Sequence, residues 1–570
     1  MNHTGFCFRM SVVAGCVVSF FGVHPARATS GAWEGDTSLY WTNNNNWASN
    51  YTYPSGDQTA TFNSTANNRT NINIQGLSTL RYITFDTYNA AAFHIGTYPP
   101  GSQTLTVYNN GTLKLNANVG NSQTFPSTLR LGTDRAGSTY VLQNDSPAYT
   151  LTVLGDIVVP NSGGTTGTKT LAFNGAGAIR VLGNISTNGF SPIYLDKNGS
   201  GVLTLTGSNR VTRLDIDGAG SVLDIGSDGY LHLDNLGSTT LYVTQDAEIK
   251  GRGTIRLSTN TGENGADCYI AAGKTLTIEP DLVSDGVFEV WSGTGTFVFK
   301  GNNDFRSNIL MATSAAIQVS KIGNVGSTGN NFGYAPIIKL SGSGCRLIYT
   351  GAGETTDRLL MLSNNATLDH SGTGELIFAS NLSVGGNTKT LTLTGSTAGV
   401  GEIAGVISAG SGTTSLAKDG TGTWRLTAAN TYAGSTTVRN GALVLTGANG
   451  AITASSGFTV NQGATLRLEN SASANNGNRL RDASNVTLNG GTLHFANDGG
   501  AASFSESAAT LTIAQNACTV RSDRAGAGQT STLTFSALSR TAGAAVNFTG
   551  EALGDLDGRT RSSSRGRPRA

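Results

Sequence analysis

Short runs of alternating apolar and polar residues, each opened by a glycine, recur along the chain. One form is Gly-x-Φ-x-Φ, where Φ is an apolar residue, and it occurs at Gly111-Leu113-Leu115, Gly441-Leu443-Leu445 and Gly491-Leu493-Phe495. Residues two apart on a β-strand lie on the same side, so each run predicts a strand of about four to six residues with one apolar side. Strands this short cannot bury a face alone and must stack on neighbours.

A longer unit, Gly-x-Gly-x-Φ-x-Φ-x-Gly-x-Asn, repeats along the chain. Residues 197–209 align without a gap with residues 418–430, a third copy begins at Gly293, and a fainter copy begins at Gly175. The glycine pair permits a tight turn with a positive φ, the apolar pair forms a strand, and the final Gly and Asn turn again. Asparagines stacked at such corners can hydrogen-bond from coil to coil. The defining residues of the three clearer copies are Gly199, Gly201, Asn209, Gly293, Gly295, Asn303, Gly420, Gly422 and Asn430.

Two closed architectures suit such strands, a propeller and a solenoid. Propeller blades repeat with a regular period of about 40 to 50 residues, which this chain lacks. A parallel β-helix tolerates irregular coils because its corners can extend into loops. Coils of roughly 20 to 25 residues stacked about 4.8 Å apart predict a body on the order of 100 Å long. The sequence therefore predicts an all-β fold, an extended right-handed parallel β-helix (β-solenoid).

Residues 416–445 closely resemble the autotransporter-associated β-strand repeat. The matching positions are Lys418, Gly420, Gly422, Leu426, Asn430, Thr431, Tyr432, Gly434, Thr437, Val438, Gly441 and Leu443. The Trp-rich opening resembles that of larger members of the family. The resemblance implies a secreted or outer-surface β-helical passenger of a Gram-negative-type bacterium, and it implies no common catalytic activity. Because 20 residues follow Gly550, we expect no C-terminal translocator barrel in this chain.

Four segments follow from these patterns. Residues 1–28 resemble a secretory signal with a cleavage motif formed by Ala26 and Ala28, although Cys16 also fits a lipoprotein box. Residues 29–75 form a Trp-rich N-terminal capping region, and residues 76–550 form the β-helix. Residues 551–570 are rich in Gly and Arg and predict a disordered tail, with a truncated or frameshifted end as the alternative explanation of the abrupt change.

Composition narrows the classes of function. Glycine accounts for 76 of 570 residues and charged residues for 13%, which disfavours a helical protein. The net charge of +1 gives no indication of nucleic-acid binding, and no mature stretch is long and apolar enough for a transmembrane helix. The mature cysteines, Cys268, Cys345 and Cys518, lack the spacing of a zinc site. We expect them to be buried core residues, although one disulfide between two of them is an open alternative.

Two groups of residues are candidate sites. Trp33, Trp41 and Trp47 could contact a glycan or cap the first coil, and we favour the cap. Four aspartates lie close together in the sequence and could suggest calcium or the carboxylates of a polysaccharide-cleaving enzyme; they are Asp215, Asp217, Asp224 and Asp228. Their spacing fits no calcium loop, and we expect turn residues.

The sequence therefore predicts a secreted or cell-surface structural and adhesive protein that is not an enzyme and needs no cofactor or metal. A polysaccharide or surface matrix is the expected partner. The alternative is a carbohydrate-active β-helix enzyme, a lyase or hydrolase, or a glycan-binding protein. The four mature histidines lie far apart in the sequence and predict no catalytic or metal site; they are His94, His232, His370 and His494.

Overall fold

A computed structural model of the chain describes residues 31–48, 52–64, 66–161, 166–187, 191–234, 240–258, 266–395, 399–498, 503–525, 529–550 and 560–564. The predicted signal segment, with Ala26, Ala28 and Cys16, lies outside the described residues, as does most of the predicted tail. The helices within these ranges are two short 3-10 turns, Asn44–Asn46 and Ala66–Asn68. No helix in the described part of the chain is long and apolar enough to cross a membrane.

Fifty-five described strands wind in a repeating order over three faces. Face 1 consists of Gly31–Ala32, Gly56–Phe62, Leu80–Phe85, Thr104–Leu115, Ser138–Asn144, Lys169–Asn174, Ile193–Lys197, Arg213–Ile216, Leu241–Val243, Ala266–Ile270, Phe288–Gly293, Ile309–Met311, Ile337–Leu340, Leu359–Leu362, Ser383–Val384, Ala429–Asn430 and Ala451–Ile452.

Face 2 consists of Asn71–Ile72, His94–Ile95, Gln123–Phe125, Leu151–Val153, Ile179–Val181, Val202–Leu205, Ser221–Asp224, Ala247–Lys250, Thr275–Ile278, Thr296–Phe299, Ala316–Val319, Cys345–Tyr349, Ala366–His370, Lys389–Thr394, Thr414–Lys418, Thr436–Val438, Gly457–Asn461, Asn485–Asn489, Ser503–Gln515, Thr530–Arg540 and Thr560–Ser564. Face 3 consists of Thr128–Leu131, Ile157–Val158, Ile185–Ser186, Ser208–Val211, Tyr230–Leu233, Thr254–Leu257, Asp281–Ser284, Asp304–Phe305, Glu354–Thr356, Leu376–Phe378, Val400–Ile403, Thr423–Leu426, Ala442–Leu445, Thr465–Asn470, Thr492–Asn497, Ala517–Ser522 and Ala545–Gly550.

The described strands pair in parallel with the equivalent strands of neighbouring coils, and the long strand Thr104–Leu115 pairs both with Thr128–Leu131 of face 3 and with Ser138–Asn144 of face 1. On face 2 this ladder runs without interruption through 21 described strands. With about 4.8 Å between neighbouring strands, the ladder is about 95 Å long. The chain is therefore the extended, all-β β-solenoid that the repeats predict.

Coil length varies more than the sequence repeats predict. Leu195 pairs with Leu214 across a short coil, whereas Ser138 pairs with Lys169 across a much longer one. The variation lies at the corners, where loops extend outward without disturbing the ladders. The predicted disordered tail contributes one described strand, Thr560–Ser564, which pairs with Thr530–Arg540.

The core is a column of apolar side chains along the solenoid axis. Every second residue of a strand points inward, and the inward residues of successive coils stack in register. One such column on face 2 is at most 2% exposed and contains Leu203, Leu223, Ile249, Ile278, Phe299 and Val319. Burial of each such side chain contributes about 1.5–3 kcal/mol. Outward positions alternate with these and carry mostly polar residues.

Candidate functional site

The asparagine of each repeat joins two coils. Its side-chain Oδ1 accepts the backbone N–H of a residue one coil earlier, which is Ile185 for Asn209 at 3.1 Å, Leu282 for Asn303 at 2.9 Å and Ile407 for Asn430 at 2.9 Å. Its Nδ2 donates to backbone carbonyls, in Asn430 to those of Ala428 and Ala451. All three asparagines are at most 3% exposed. They lie in separate coils and hold corners, which is a structural role.

The repeat glycines are needed for two different reasons. Gly293, Gly420 and Gly441 have positive φ angles of 84°, 66° and 62°, where a side chain would strain the backbone. Gly199 and Gly201 have no positive φ, so the prediction of a positive φ at these two positions is wrong. A Cβ on these two would lie 2.2 Å and 2.1 Å from carbonyl oxygens of the preceding coil.

The other repeat positions are likewise determined by backbone conformation or by close packing between coils. Gly295 and Gly422 also lack a positive φ, and so does Gly434, where a Cβ would lie 2.3 Å from a carbonyl oxygen of Thr414. Leu426 is fully buried on face 3, between Ile403 and Leu445 of the adjoining coils. The repeat is thus defined by close packing between coils as much as by turn conformation.

A buried lysine precedes the glycine pair in the two best-aligned copies. Nζ of Lys418 donates to the backbone carbonyls of Asp419, Gly420 and Asn440 at 2.7, 2.9 and 3.1 Å. Lys197 bonds in the same way to the carbonyl of Gly199. Burial lowers the pKa of each lysine to about 8. The two ammonium groups therefore serve to satisfy corner carbonyls rather than to face solvent.

The same repeat occurs on different faces of the solenoid. In the first copy the lysine ends a face 1 strand, the apolar pair lies on face 2 and the asparagine on face 3. In the second copy Lys418 ends a face 2 strand, the apolar pair lies on face 3 and Asn430 on face 1. The repeat therefore encodes a corner and the strand that follows it, and not a fixed position around the axis.

The three N-terminal tryptophans form a closed cluster. Trp33, Trp41 and Trp47 are 0% exposed. The ring centroids of Trp41 and Trp47 are 4.8 Å apart, and all three indoles pack around Phe62. Each indole N–H donates to a backbone carbonyl, in Trp41 to that of Pro54 at 2.9 Å. None offers an exposed ring to a sugar, so the geometry favours the cap over the glycan contact.

The four aspartates of the predicted cluster separate into two groups. Asp224 and Asp228 lie at a turn, where Asp224 accepts the N–H of Gly226 at 2.8 Å and Asp228 accepts the hydroxyl of Ser227 at 2.9 Å. This is the expected corner role. Asp215 and Asp217 instead lie on the outer side of face 1.

Asp215 belongs to a network that the sequence did not reveal. It is paired in register with Asp196 of the preceding coil, and each carboxyl group influences the pKa of the other. Nε of Arg213 donates to Asp215 at 2.5 Å. Burial raises the pKa of Asp215 to about 6 against the influence of Arg213, and burial together with Asp217 raises the pKa of Asp196. Asp196 was missed because only the coil register brings it to Asp215.

Aromatic side chains continue this network along face 1. The guanidinium carbon of Arg213 lies 5.6 Å from the ring centroid of Tyr194 and 4.8 Å from that of Tyr242. Tyr242 is stacked on Tyr269 of the next coil at 4.4 Å with an interplanar angle of 11°. Trp291 follows in the coil after that and is 59% exposed. We call this set the face 1 strip; it consists of Tyr194, Asp196, Arg213, Asp215, Asp217, Tyr242, Tyr269 and Trp291.

Two buried arginines, also not foreseen, hold loops at the corners. Arg358 is 0% exposed and donates to the carbonyls of Ile322, Gly323, Asn324, Gly333 and Ala335. Arg479 is equally buried and donates to the carbonyls of Gly447, Gly450 and Ala474. Neither arginine has a local motif that would identify it in the sequence.

The histidines and cysteines are held in separate local contacts. His232, His370 and His494 contact Ser258, the carbonyl of Gly374 and Asp523 respectively, and His94 lies beside Tyr98. Within the ranges described, no group of three or more His, Cys, Asp or Glu residues could hold a metal ion. Cys268, Cys345 and Cys518 are buried free thiols, as expected for core residues. Burial raises the pKa of Cys345 to about 12.

Comparison with known proteins agrees with this geometry. A family model described as the passenger-associated-transport-repeat matches residues 195–218 and 416–445, which are the two best-aligned repeat copies. The chain is 30% identical over 377 residues to the adhesin BmaC autotransporter of Brucella suis biovar 1 (strain 1330). That alignment covers 63% of this chain and 10% of the relative, so the chain spans about a tenth of the length of the curated relative it matches. No solved structure matches.

The repeats, their buried corner residues and the parallel ladders all agree with the resemblance drawn from the sequence. The chain is a β-solenoid that carries passenger-associated transport repeats and is similar to the passengers of autotransporters.

Proposed function

We propose that this chain is a secreted or outer-surface passenger segment of a Gram-negative-type bacterium, with a structural and adhesive role. The observation that carries the proposal is the uninterrupted face 2 ladder of 21 described strands. Such a ladder holds its ends about 95 Å apart. A stiff rod of this kind can present outward side chains at a distance from the surface that bears it.

The adhesive part of the proposal is supported by the name of the relative, an adhesin autotransporter, and by the outer surface of the solenoid. The core takes up the apolar side chains and leaves polar positions outward, together with a few exposed aromatics such as Trp291. Polar surfaces with scattered aromatic residues suit reversible contacts with hydrated partners. An extracellular polysaccharide or surface matrix is the partner we propose.

An enzyme that cleaves polysaccharides is the second candidate, and Asp215 is the observation that favours it. A carboxyl group with a pKa of about 6 can act as an acid near neutral pH. Asp215, however, accepts a hydrogen bond from Nε of Arg213 at 2.5 Å, and its neighbour on the adjoining strand is Asp196. Glycoside hydrolysis needs one carboxyl group that is available to protonate the leaving oxygen and a second one about 5 Å or more away. Because Asp215 is engaged by Arg213, we favour adhesion over hydrolysis at this pair.

Adhesion can be measured with the purified full chain coupled to fluorescent beads. We expect chain-coated beads to bind polysaccharide-rich cell surfaces or biofilm matrix above the level of beads coated with heat-denatured chain. Labelling of intact producing cells with an antibody to the chain tests surface display. Binding equal to that of the denatured control would contradict the proposal. Release of reducing ends or unsaturated sugars from a polysaccharide panel would favour the enzyme instead.

A further inference from the structure

We propose that the aromatic end of the face 1 strip, formed by Tyr269 and Trp291, binds a polysaccharide chain that carries no acidic groups. This inference rests on the adhesive function proposed above and gives it a ligand class and a place on the rod. Tyr269 and Trp291 belong to successive strands of face 1, Ala266–Ile270 and Phe288–Gly293.

The exposed tryptophan lies on the outer side of its strand, at a β-bulge. Phe288 and Val290 are fully buried, whereas Trp291 is 59% exposed, as the alternation of the strand requires. Cys268 pairs with Val290 and Tyr269 pairs with Ser292, so Trp291 is an extra residue between two paired positions. A large apolar ring is thus held in solvent one coil after Tyr269.

The other end of the strip is already closed by its own contacts. Arg213 lies against the ring of Tyr242 at 4.8 Å, and Tyr242 is stacked on Tyr269 at 4.4 Å. One face of Tyr269 is thus covered by Tyr242, and the open end of the stack is directed toward the coil of Trp291. The stack is ordered before any ligand arrives, which lowers the entropy lost on binding.

The chemistry of this end suits a sugar chain. The electron-rich face of an aromatic ring attracts the polarised C–H groups of a sugar ring. Polar groups for the hydroxyls are nearby along the same face, including the exposed carboxylate of Asp217, which accepts the hydroxyl of Thr244 at 2.7 Å. Successive coils are about 4.8 Å apart, so an extended chain lying along the rod axis can meet one coil after another.

The charge of the strip selects against acidic polysaccharides. It contains three carboxyl groups, Asp196, Asp215 and Asp217, and one guanidinium, Arg213. Arg213 is engaged with Asp215 at 2.5 Å and with the tyrosine rings. A uronate chain laid along this face would bring like charges together, which lowers affinity. A neutral chain meets no such repulsion.

The test uses the full chain and four variants: Trp291→Ala, Tyr269→Ala, Trp291→Phe and Tyr88→Ala. Binding to cellohexaose, mannohexaose and hexa-N-acetylglucosamine is measured by isothermal titration calorimetry, with polygalacturonate as the acidic probe. We expect at least one neutral probe to bind. Trp291→Ala and Tyr269→Ala should weaken that binding about tenfold or more, whereas Trp291→Phe should retain most of it. Tyr88, which is 78% exposed in a distant coil, serves as the matched aromatic control and should leave binding unchanged.

Thermal unfolding of each variant checks that its fold is retained. Trp291→Ala is the decisive variant because Trp291 is exposed and its removal should leave the fold intact. The inference is overturned if no neutral probe binds, if Trp291→Ala binds as the unmodified chain does, or if polygalacturonate binds best. It is also overturned if Trp291→Ala abolishes only self-association of the chain. The bead assay separates the two proposals. If Trp291→Ala still adheres, the adhesive function stands but this ligand site does not. If the unmodified chain does not adhere above the denatured control, both proposals are contradicted.

Discussion

The side-chain oxygen of Asn303 accepts the backbone N–H of Leu282 at 2.9 Å, one coil earlier, and both residues are buried. Asn209 and Asn430 make the equivalent bond at their own corners. The solenoid is thus held between coils by side-chain amides at corners as well as by its strand ladders.

Asn303→Ala should destabilise the fold because it leaves the buried N–H of Leu282 without an acceptor. An unpaired buried backbone group costs about 1–3 kcal/mol. The adjacent Asn302 is exposed, so Asn302→Ala is the matched control and should change stability by less than about 0.5 kcal/mol. Chemical denaturation followed by circular dichroism measures both. Equal effects of the two substitutions would contradict the structural role of the repeat asparagine.

Gly201→Ala should be strongly destabilising although Gly201 has no positive φ. An added Cβ would lie 2.1 Å from the carbonyl oxygen of Gly177, and overpacking of this kind costs about 1–3 kcal/mol or more. At Gly457, which also lacks a positive φ, the nearest atom to an added Cβ is 3.5 Å away. Gly457→Ala should therefore be tolerated. A melting temperature for Gly201→Ala equal to that of Gly457→Ala would show that the coils are not packed this closely.

Trp41→Ala should lower the stability of the first coils by about 3–5 kcal/mol because it removes a fully buried indole from the N-terminal cap. Trp291→Ala, at an exposed position, should have little effect on stability. Hydrogen exchange followed by mass spectrometry would localise the loss of protection in Trp41→Ala to the N-terminal coils. If Trp41→Ala kept full protection there while losing polysaccharide binding, the cap interpretation would fail.

Stability should depend on pH through Asp215. Its pKa in the folded chain is raised by burial to about 6, above its usual value of 3.8. The folded state therefore holds the proton more tightly than the unfolded state. The resulting stability is fully present below about pH 3.8 and is lost as the pH rises through about 6.

The Asp215→Asn variant lacks this titration. The free energy of unfolding of the unmodified chain, relative to that of Asp215→Asn, should rise by about 1–3 kcal/mol between pH 7 and pH 4. Asp228→Asn, at an exposed turn of the same region, controls for removal of a carboxylate. A difference between the unmodified chain and Asp215→Asn that stays constant over this pH range would contradict the buried carboxyl pair.

Local patterns in the sequence predict the fold and the corners well. The alternation of apolar residues identifies the strands, and the glycine and asparagine spacing identifies the corners, because both are set within one coil. The tryptophan cap is similarly local, since Trp33, Trp41 and Trp47 lie close together in the sequence.

Contacts between coils are harder to predict from the sequence. Asp196 meets Asp215 because the coil between them is short, whereas the coil that brings Ser138 to Lys169 is much longer. With lengths this irregular, the sequence does not define which side chains become neighbours.

Three further features depend on the same longer-range geometry. The position of Trp291 one coil after Tyr269 depends on the coil register, and the burial of Arg358 and Arg479 depends on loops folding back over them. The positive φ expected at Gly199 and Gly201 was wrong because the close approach of the preceding coil, not the turn, requires glycine there.

Small-angle X-ray scattering of the monodisperse full chain measures the length of the solenoid, the property on which the proposed function rests. Parallel coils stacked over 21 described strands predict a rod, with a skewed pair-distance distribution that extends to about 100 Å. A symmetric distribution with the radius of gyration of a compact globule of this length, about 25 Å, would contradict the solenoid.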